Sequence, residues 1–117
     1  MALEKFVKQQ RTNHPAITIR KNGEIYIHRQ ALEQYNLKKV GYVTLHFDQK
    51  ESVIGIRPTD DDKDPSAFRI CKQRGRVFTV FCKSFLKYYQ IPFKEVSKIY
   101  PASWDEKTRT ILTKITR

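Results

Sequence analysis

Apolar and polar residues alternate along the first organised stretch of the chain. A period of two is typical of a strand that buries one face. The two alternating segments meet at Asn22-Gly23, which tolerates the positive φ angles of a tight hairpin turn. The pattern therefore predicts a β-hairpin, and its alternating apolar residues are Ile17, Ile19, Ile25 and Ile27.

The spacing of apolar residues changes after this hairpin. In "RQALEQYNL", residues 29–37, Leu32 and Tyr35 lie on one side of about two helical turns, a length that is stable only when packed on a sheet. Alternation returns in "YVTLHFD" and "SVIGIRP", which are separated by the turn-forming "DQKE" and ended by Pro58. The predicted order for residues 17–58 is thus β-β-α-β-β.

The second part of the chain repeats this order. Three collinear matches, at offsets that drift by only a few residues, predict a tandem duplication. The matched pairs include Ile17 and Phe68, Ile19 and Ile70, Ile25 and Val77, Leu32 and Leu86, Tyr35 and Tyr89, Phe47 and Trp104, and Asp48 and Asp105. The acidic segment "TDDDKDPS" between the copies has no large apolar residue and is typical of a linker.

These patterns predict four segments of a mostly β chain with short helices. We expect an N-terminal arm over residues 1–16, a first half over residues 17–58, an acidic linker over residues 59–66 and a second half over residues 67–117. Both halves are expected to share one core, since each alone is small for independent folding. The residues predicted to be buried are Ile25, Leu32, Leu45, Phe47, Ile54, Val77, Leu86, Trp104 and Ile111.

Charge is the strongest feature of the composition. The 117 residues include 23 Lys and Arg against 12 Asp and Glu, which gives a formal net charge of +11. Such a surplus favours a polyanionic partner such as nucleic acid, although it also serves solubility alone. With no apolar run of membrane-spanning length and no secretory leader at residue 1, we expect a cytoplasmic protein without a membrane partner. Its two cysteines are then expected to be reduced.

The stretch "GEIYIHRQALEQYNLKKVGYVTLHFDQKESVIGIRP" resembles the AbrB/SpoVT, or MazE-like, swapped-hairpin family. Members are small DNA-binding transcription regulators and antitoxins in which two β-β-α-β-β halves interlock into one barrel, usually from two chains. Tandem-copy members such as the MraZ group carry both halves in one chain. The resemblance implies a pseudo-twofold barrel built within this chain, covering residues 17–58 directly and residues 67–117 through the repeat.

The family's typical site residues match this chain only in part. Family members often place arginine directly after the turn glycine and again in the helix. Arg76 and, more weakly, Lys87 match these positions in the second half, whereas the first half has Glu24 and Glu33 there. The strand-to-helix junction, often proline in the family, is His28. The resemblance therefore implies DNA contacts mainly from the second half.

The densest basic cluster surrounds the second glycine turn, in "RICKQRGR" and the helix that follows. Arginine side chains on a β-turn can bind phosphates or reach a groove edge, and a two-stranded ribbon fits the major groove. The alternative is a solvated hairpin tip. The predicted nucleic-acid-binding residues are Arg69, Lys72, Arg74, Arg76, Lys83 and Lys87, with a less basic equivalent tip of Arg20, Lys21 and Arg29.

Two function classes remain open from the sequence. The first is a DNA-binding, transcription-regulator-like module that contacts duplex DNA. The second is an adaptor that binds an acidic partner protein with the same fold. The oligomeric state, monomer or homodimer, stays open. We expect no enzyme activity, cofactor or metal, because the sequence has no phosphate-binding glycine loop and no His or Cys pair at metal spacing. His28 and Cys82 occupy equivalent positions before the two helices and would approach each other only near a twofold axis.

Overall fold

The fold consists of short antiparallel strands interrupted by two short helices. The computed structural model describes residue 3, residues 14–73 and residues 77–116. In these residues the elements are β1 (Ala16–Ile19), β2 (Glu24–His28), α1 (Arg29–Gln34), β3 (Tyr42–Asp48), β4 (Val53–Thr59), β5 (Phe68–Gln73), β6 (Val77–Phe81), α2 (Lys83–Tyr88), β7 (Ile99–Pro101), β8 (Ser103–Asp105) and β9 (Thr110–Lys114). A mostly β chain with short helices is confirmed. Most of the predicted arm, residues 1–13 apart from residue 3, lies outside the described residues.

The first predicted hairpin is formed by β1 and β2. These strands pair antiparallel from the Ile17–Ile27 pair to the Ile19–Ile25 pair. In the turn between them, Gly23 has φ +88°. A residue with a Cβ atom is strained at this angle, so glycine allows the chain to reverse here. All four isoleucines are buried, as the alternation predicts.

The strands form one sheet that nearly closes on itself. Their order is β7-β1-β2-β6-β5-β3-β4-β9-β8, and every pairing is antiparallel. Only Ala102 separates β7 from β8 in the chain. Because β7 pairs with β1 and β8 pairs with β9, this one stretch joins both ends of the sheet. The result is a barrel-like sheet with few open edges.

The two halves of the chain alternate around this sheet. The β1–β2 hairpin lies between β7 and β6, and the β3–β4 hairpin lies between β5 and β9. Both neighbours of each hairpin therefore come from the part of the chain beyond residue 67. A hairpin is marginal alone and needs further strands to bury its apolar face. Each half of the chain thus depends on the other for its core.

The core fills the inside of the barrel with aliphatic side chains. Of the predicted core, the residues that are buried are Ile25, Leu32, Ile54, Leu86 and Ile111. Leu45, Phe47 and Trp104 are only partly buried, so their full burial was wrongly predicted. Trp104 packs against the core while its Nε1 donates a 2.7 Å hydrogen bond to an exposed carboxylate, which keeps one edge of the indole near water. The side chain of Val77 lies outside the described residues.

The two helices pack on the barrel rather than standing alone. Each buries two consecutive residues, Ala31-Leu32 in α1 and Phe85-Leu86 in α2. An aromatic contact follows each helix: Tyr35 stacks on Trp104 with ring centroids 4.8 Å apart, and Tyr89 lies 5.4 Å from Phe47. Two-turn helices are unstable in isolation, so these contacts account for their formation.

Candidate nucleic-acid interface

A group of cations surrounds the turn between β1 and β2. Arg20, Lys21 and Lys98 line one shallow groove beside this turn. Lys83, the first residue of α2, packs its aliphatic stem against the same turn, because a Cβ atom placed on Gly23 would lie only 2.7 Å from its Cγ. We refer to Arg20, Lys21, Lys83 and Lys98 as the first basic cluster.

A second group of cations lies where α1 begins. Glu33 accepts a 2.8 Å hydrogen bond from Arg29 Nε and lies 3.7 Å from Lys38 Nζ. The bond from Arg29 lowers the pKa of the Glu33 carboxyl, which keeps it ionised. Lys72 Nζ donates to the backbone oxygen of Lys38 at 3.0 Å. We refer to Arg29, Lys38 and Lys72 as the second basic cluster.

The two clusters lie at opposite ends of the paired strands β2 and β6. The Glu24–Phe81 pair forms one end, next to α2 and the first cluster. The His28–Val77 pair forms the other end, next to α1 and the second cluster. Four residues at about 3.3 Å each put these ends about 13 Å apart. The spacing leaves both clusters on one side of the barrel.

The structure divides the residues predicted over the second hairpin and its helix. Lys83 and Lys87, both exposed, lie on α2 at the first turn, whereas Lys72 lies in the second cluster. Arg69 is exposed on β5, where it pairs with Tyr42 of β3. The five-residue strand β6 causes this division, because it carries the chain from one end of the face to the other.

The remaining predicted residues divide in the complementary way. Arg20 and Lys21 stay at the first turn, but Arg29 lies with the second cluster, since β2 carries the chain across the same face. Arg74 and Arg76 lie outside the described residues. Each helix thus begins next to the hairpin of the other half of the chain.

Two aromatic side chains on this face were not predicted as site residues. The guanidinium of Arg20 lies 4.8 Å from the ring centroid of Tyr26. Phe81 is 53% exposed, although the other two apolar residues of β6 with described side chains, Phe78 and Val80, are buried. The alternation in "VFTVF" could have revealed this outward phenylalanine, because it places Phe81 and Val80 on opposite faces of the strand.

The residues before the two helices do not form a joint site. His28 and Cys82 lie at opposite ends of the β2–β6 pair, so they do not approach each other. His28 contacts the hydroxyl of Thr18, and burial lowers its pKa. Burial raises the pKa of Cys82 to about 12, which keeps this thiol protonated and unreactive. Within the described part of the chain, no three His, Cys, Asp or Glu side chains are grouped as metal ligands.

The opposite side of the barrel has a different charge. The β4–β9 pair lies four strands from the β2–β6 pair in both directions around the sheet. A groove of about 550 Å³ crosses it, and its lining includes the carboxylates of Asp48, Glu51 and Asp105. Asp48 Oδ1 and Asp105 Oδ1 also accept backbone hydrogen bonds within their turns. Polyanions are therefore attracted more to the face with the two basic clusters.

Comparison with protein-family models, with curated proteins and with solved structures finds no match to this chain. Among the residues described by the structure, neither helix is long and apolar enough to cross a membrane. The interpretation of the site therefore depends on its own geometry and charge.

Proposed function

We propose that the chain is a fused pair of β-β-α-β-β halves that forms a swapped-hairpin barrel, and that it binds duplex DNA as a transcription-regulator-like module. Matching strand registers support the repeat. The β3–β4 hairpin pairs Phe47 with Ile54, and the β8–β9 hairpin pairs Trp104 with Ile111. Both members of the second pair follow those of the first by 57 residues.

Unusual backbone angles support the same proposal. Asn36 and Gln90 follow the two helices, and each has φ 56°. Ser52 and Arg109 lie in the turns of the β3–β4 and β8–β9 hairpins, with φ 56° and 52°. Residues other than glycine are uncommon in this left-handed region. Their occurrence at corresponding positions favours two copies of one backbone design.

The central strand pairs are consistent with an approximate twofold axis. The register of β2 with β6 is symmetric about the Tyr26–Thr79 pair, and the register of β4 with β9 is symmetric about the Gly55–Leu112 pair. An axis through both pairs would exchange the two halves and the two basic clusters. This is the arrangement that a resemblance to swapped-hairpin regulators implies.

The observation that carries the DNA proposal is the position of the two basic clusters. They flank the axis on one face of the barrel, while the groove on the opposite face includes three carboxylates. The two backbones of duplex DNA are themselves related by local twofold axes, which a twofold protein face can match. We propose that each cluster binds the phosphates of one strand.

Salt-dependent binding tests this proposal. With about four to six phosphate contacts, the slope of log K against log salt for a 20-base-pair duplex should be about −4 to −5. The double variant Lys21→Gln/Lys83→Gln should flatten this slope by about two units. The matched control Lys50→Gln/Lys107→Gln removes the same charge from exposed turns beside the acidic groove and should leave the slope unchanged.

Two results would contradict the DNA proposal. Equal slopes for the two double variants would show that net charge alone controls binding. A wild-type protein that binds heparin and duplex DNA with the same affinity and slope would instead favour the acidic-protein adaptor, because the face would then recognise charge without DNA geometry.

A further inference from the structure

Phe81 is an exposed aromatic ring in a strand at the centre of the basic face. It faces outward from β6, opposite Glu24 of β2, and just over half of its surface is open to water. Such a ring adds nothing to the core, and the rest of this strand is well packed. Its exposure therefore calls for a partner with an apolar flat surface.

The surroundings of Phe81 indicate what kind of partner fits. Lys83, of the first basic cluster, follows it by two residues. Arg69 and Phe81 are the next residues along β5 and β6 from the Ile70–Val80 pair, and Arg69 is exposed. Cations around an exposed ring match a ligand that combines phosphate groups with a flat aromatic base.

We propose that Phe81 stacks on one unpaired base of the bound nucleic acid. The inference rests on the DNA proposal, because the first basic cluster would hold the phosphates beside that base. A ring on the surface of a sheet, and not at a protruding tip, is poorly placed to wedge between stacked base pairs. A base that has left the helix can lie flat on it.

Only one end of the face carries this ring. Under the proposed twofold axis, the position that corresponds to Phe81 is His28, at the far end of the β2–β6 pair. The His28 side chain is partly buried and contacts Thr18, so it offers no comparable flat surface. The protein should therefore accept one unpaired base per molecule and prefer a duplex with a single bulged base.

Fluorescence anisotropy with two matched probes tests this inference. One probe is a 20-base-pair duplex, and the other is the same duplex with one bulged adenine. The wild type should bind the bulged probe about tenfold more tightly, the size expected for one base stacked on an aromatic ring. Phe81→Ala should remove the preference while keeping duplex affinity and salt slope, and Phe81→Trp should retain it. Tyr88→Ala is the matched control, since Tyr88 is 78% exposed but lies on α2 away from the strand.

The possible failures are distinguishable. Equal wild-type affinity for the two probes, or a bulge preference that survives Phe81→Ala, would overturn the stacking proposal and leave duplex binding intact. A wild type that binds neither probe would refute both proposals. Loss of the preference in Tyr88→Ala would assign the base to α2 and likewise refute a role for Phe81.

Discussion

Replacing Gly23 with alanine tests the link between the first turn and the first basic cluster. Two penalties add at this position. A Cβ atom at φ +88° costs about 1–2 kcal/mol. The same atom would lie 2.7 Å from Lys83 Cγ and 2.8 Å from its Cβ, an overlap of the kind that costs about 1–3 kcal/mol. The reduced freedom of the unfolded chain returns about 0.5–1 kcal/mol. Gly23→Ala should therefore destabilise the protein by about 1–4 kcal/mol.

Urea unfolding, followed by the fluorescence of the single Trp104, measures this change. Gly41→Ala is the matched control, because a Cβ atom there meets nothing within 4 Å, and its expected effect is within about 0.5 kcal/mol. A double-mutant cycle with Lys83→Gly separates the two penalties, since removing the lysine stem should leave mainly the cost of the backbone angle. If Gly23→Ala costs the same in both backgrounds, Lys83 does not pack on the turn as described. A cost below 0.5 kcal/mol in the wild type would refute both parts of the reasoning.

Two further predictions concern the core and the thiols. Leu86→Ala should lower the free energy of unfolding by about 2–5 kcal/mol, because the side chain is fully buried and leaves a cavity; a midpoint in urea equal to that of the wild type would place α2 at the surface. Iodoacetamide at pH 8 should label Cys71 but not the buried Cys82, unless the protein is first unfolded, as peptide mass spectrometry would detect. Since the pKa of Cys82 rises from 9 to about 12 on folding, the stability that its thiol contributes is present below pH 9 and is lost as pH rises towards 12. Cys82→Ala should weaken this alkaline loss, and an unchanged pH profile would contradict it.

Local features of the fold could be predicted because they depend on neighbouring residues. Alternation around Asn22-Gly23 was enough for the first hairpin, and the short apolar spacing before Leu37 was enough for α1. The exact equivalence of the halves was not. In the hairpins, the Ile17–Ile27 pair corresponds to the Ile70–Val80 pair, whereas the sequence matched Ile17 with Phe68. Insertions near the second turn shift the register, and only strand pairing reveals where they are absorbed.

The candidate site was harder to predict because it depends on which strand ends meet. Lys72 and Lys83 are only 11 residues apart, yet strand β6 places them at opposite ends of the face. Lys98 joins the first cluster from a distant part of the chain. Charge density along the sequence therefore found many of the cations but grouped them by sequence position. Their true grouping follows from antiparallel pairing between distant segments.

The segment from residue 60 to residue 67, between β4 and β5, has a consequence for how the molecule responds to dilution. It is the covalent bridge between two hairpin sets that have few neighbours within their own set. Without it, assembly of the sheet would be a bimolecular reaction, and the folded fraction would depend on concentration. With it, each set experiences the other at an effective concentration in the millimolar range. The barrel can therefore persist at the low copy numbers at which a two-chain version would dissociate.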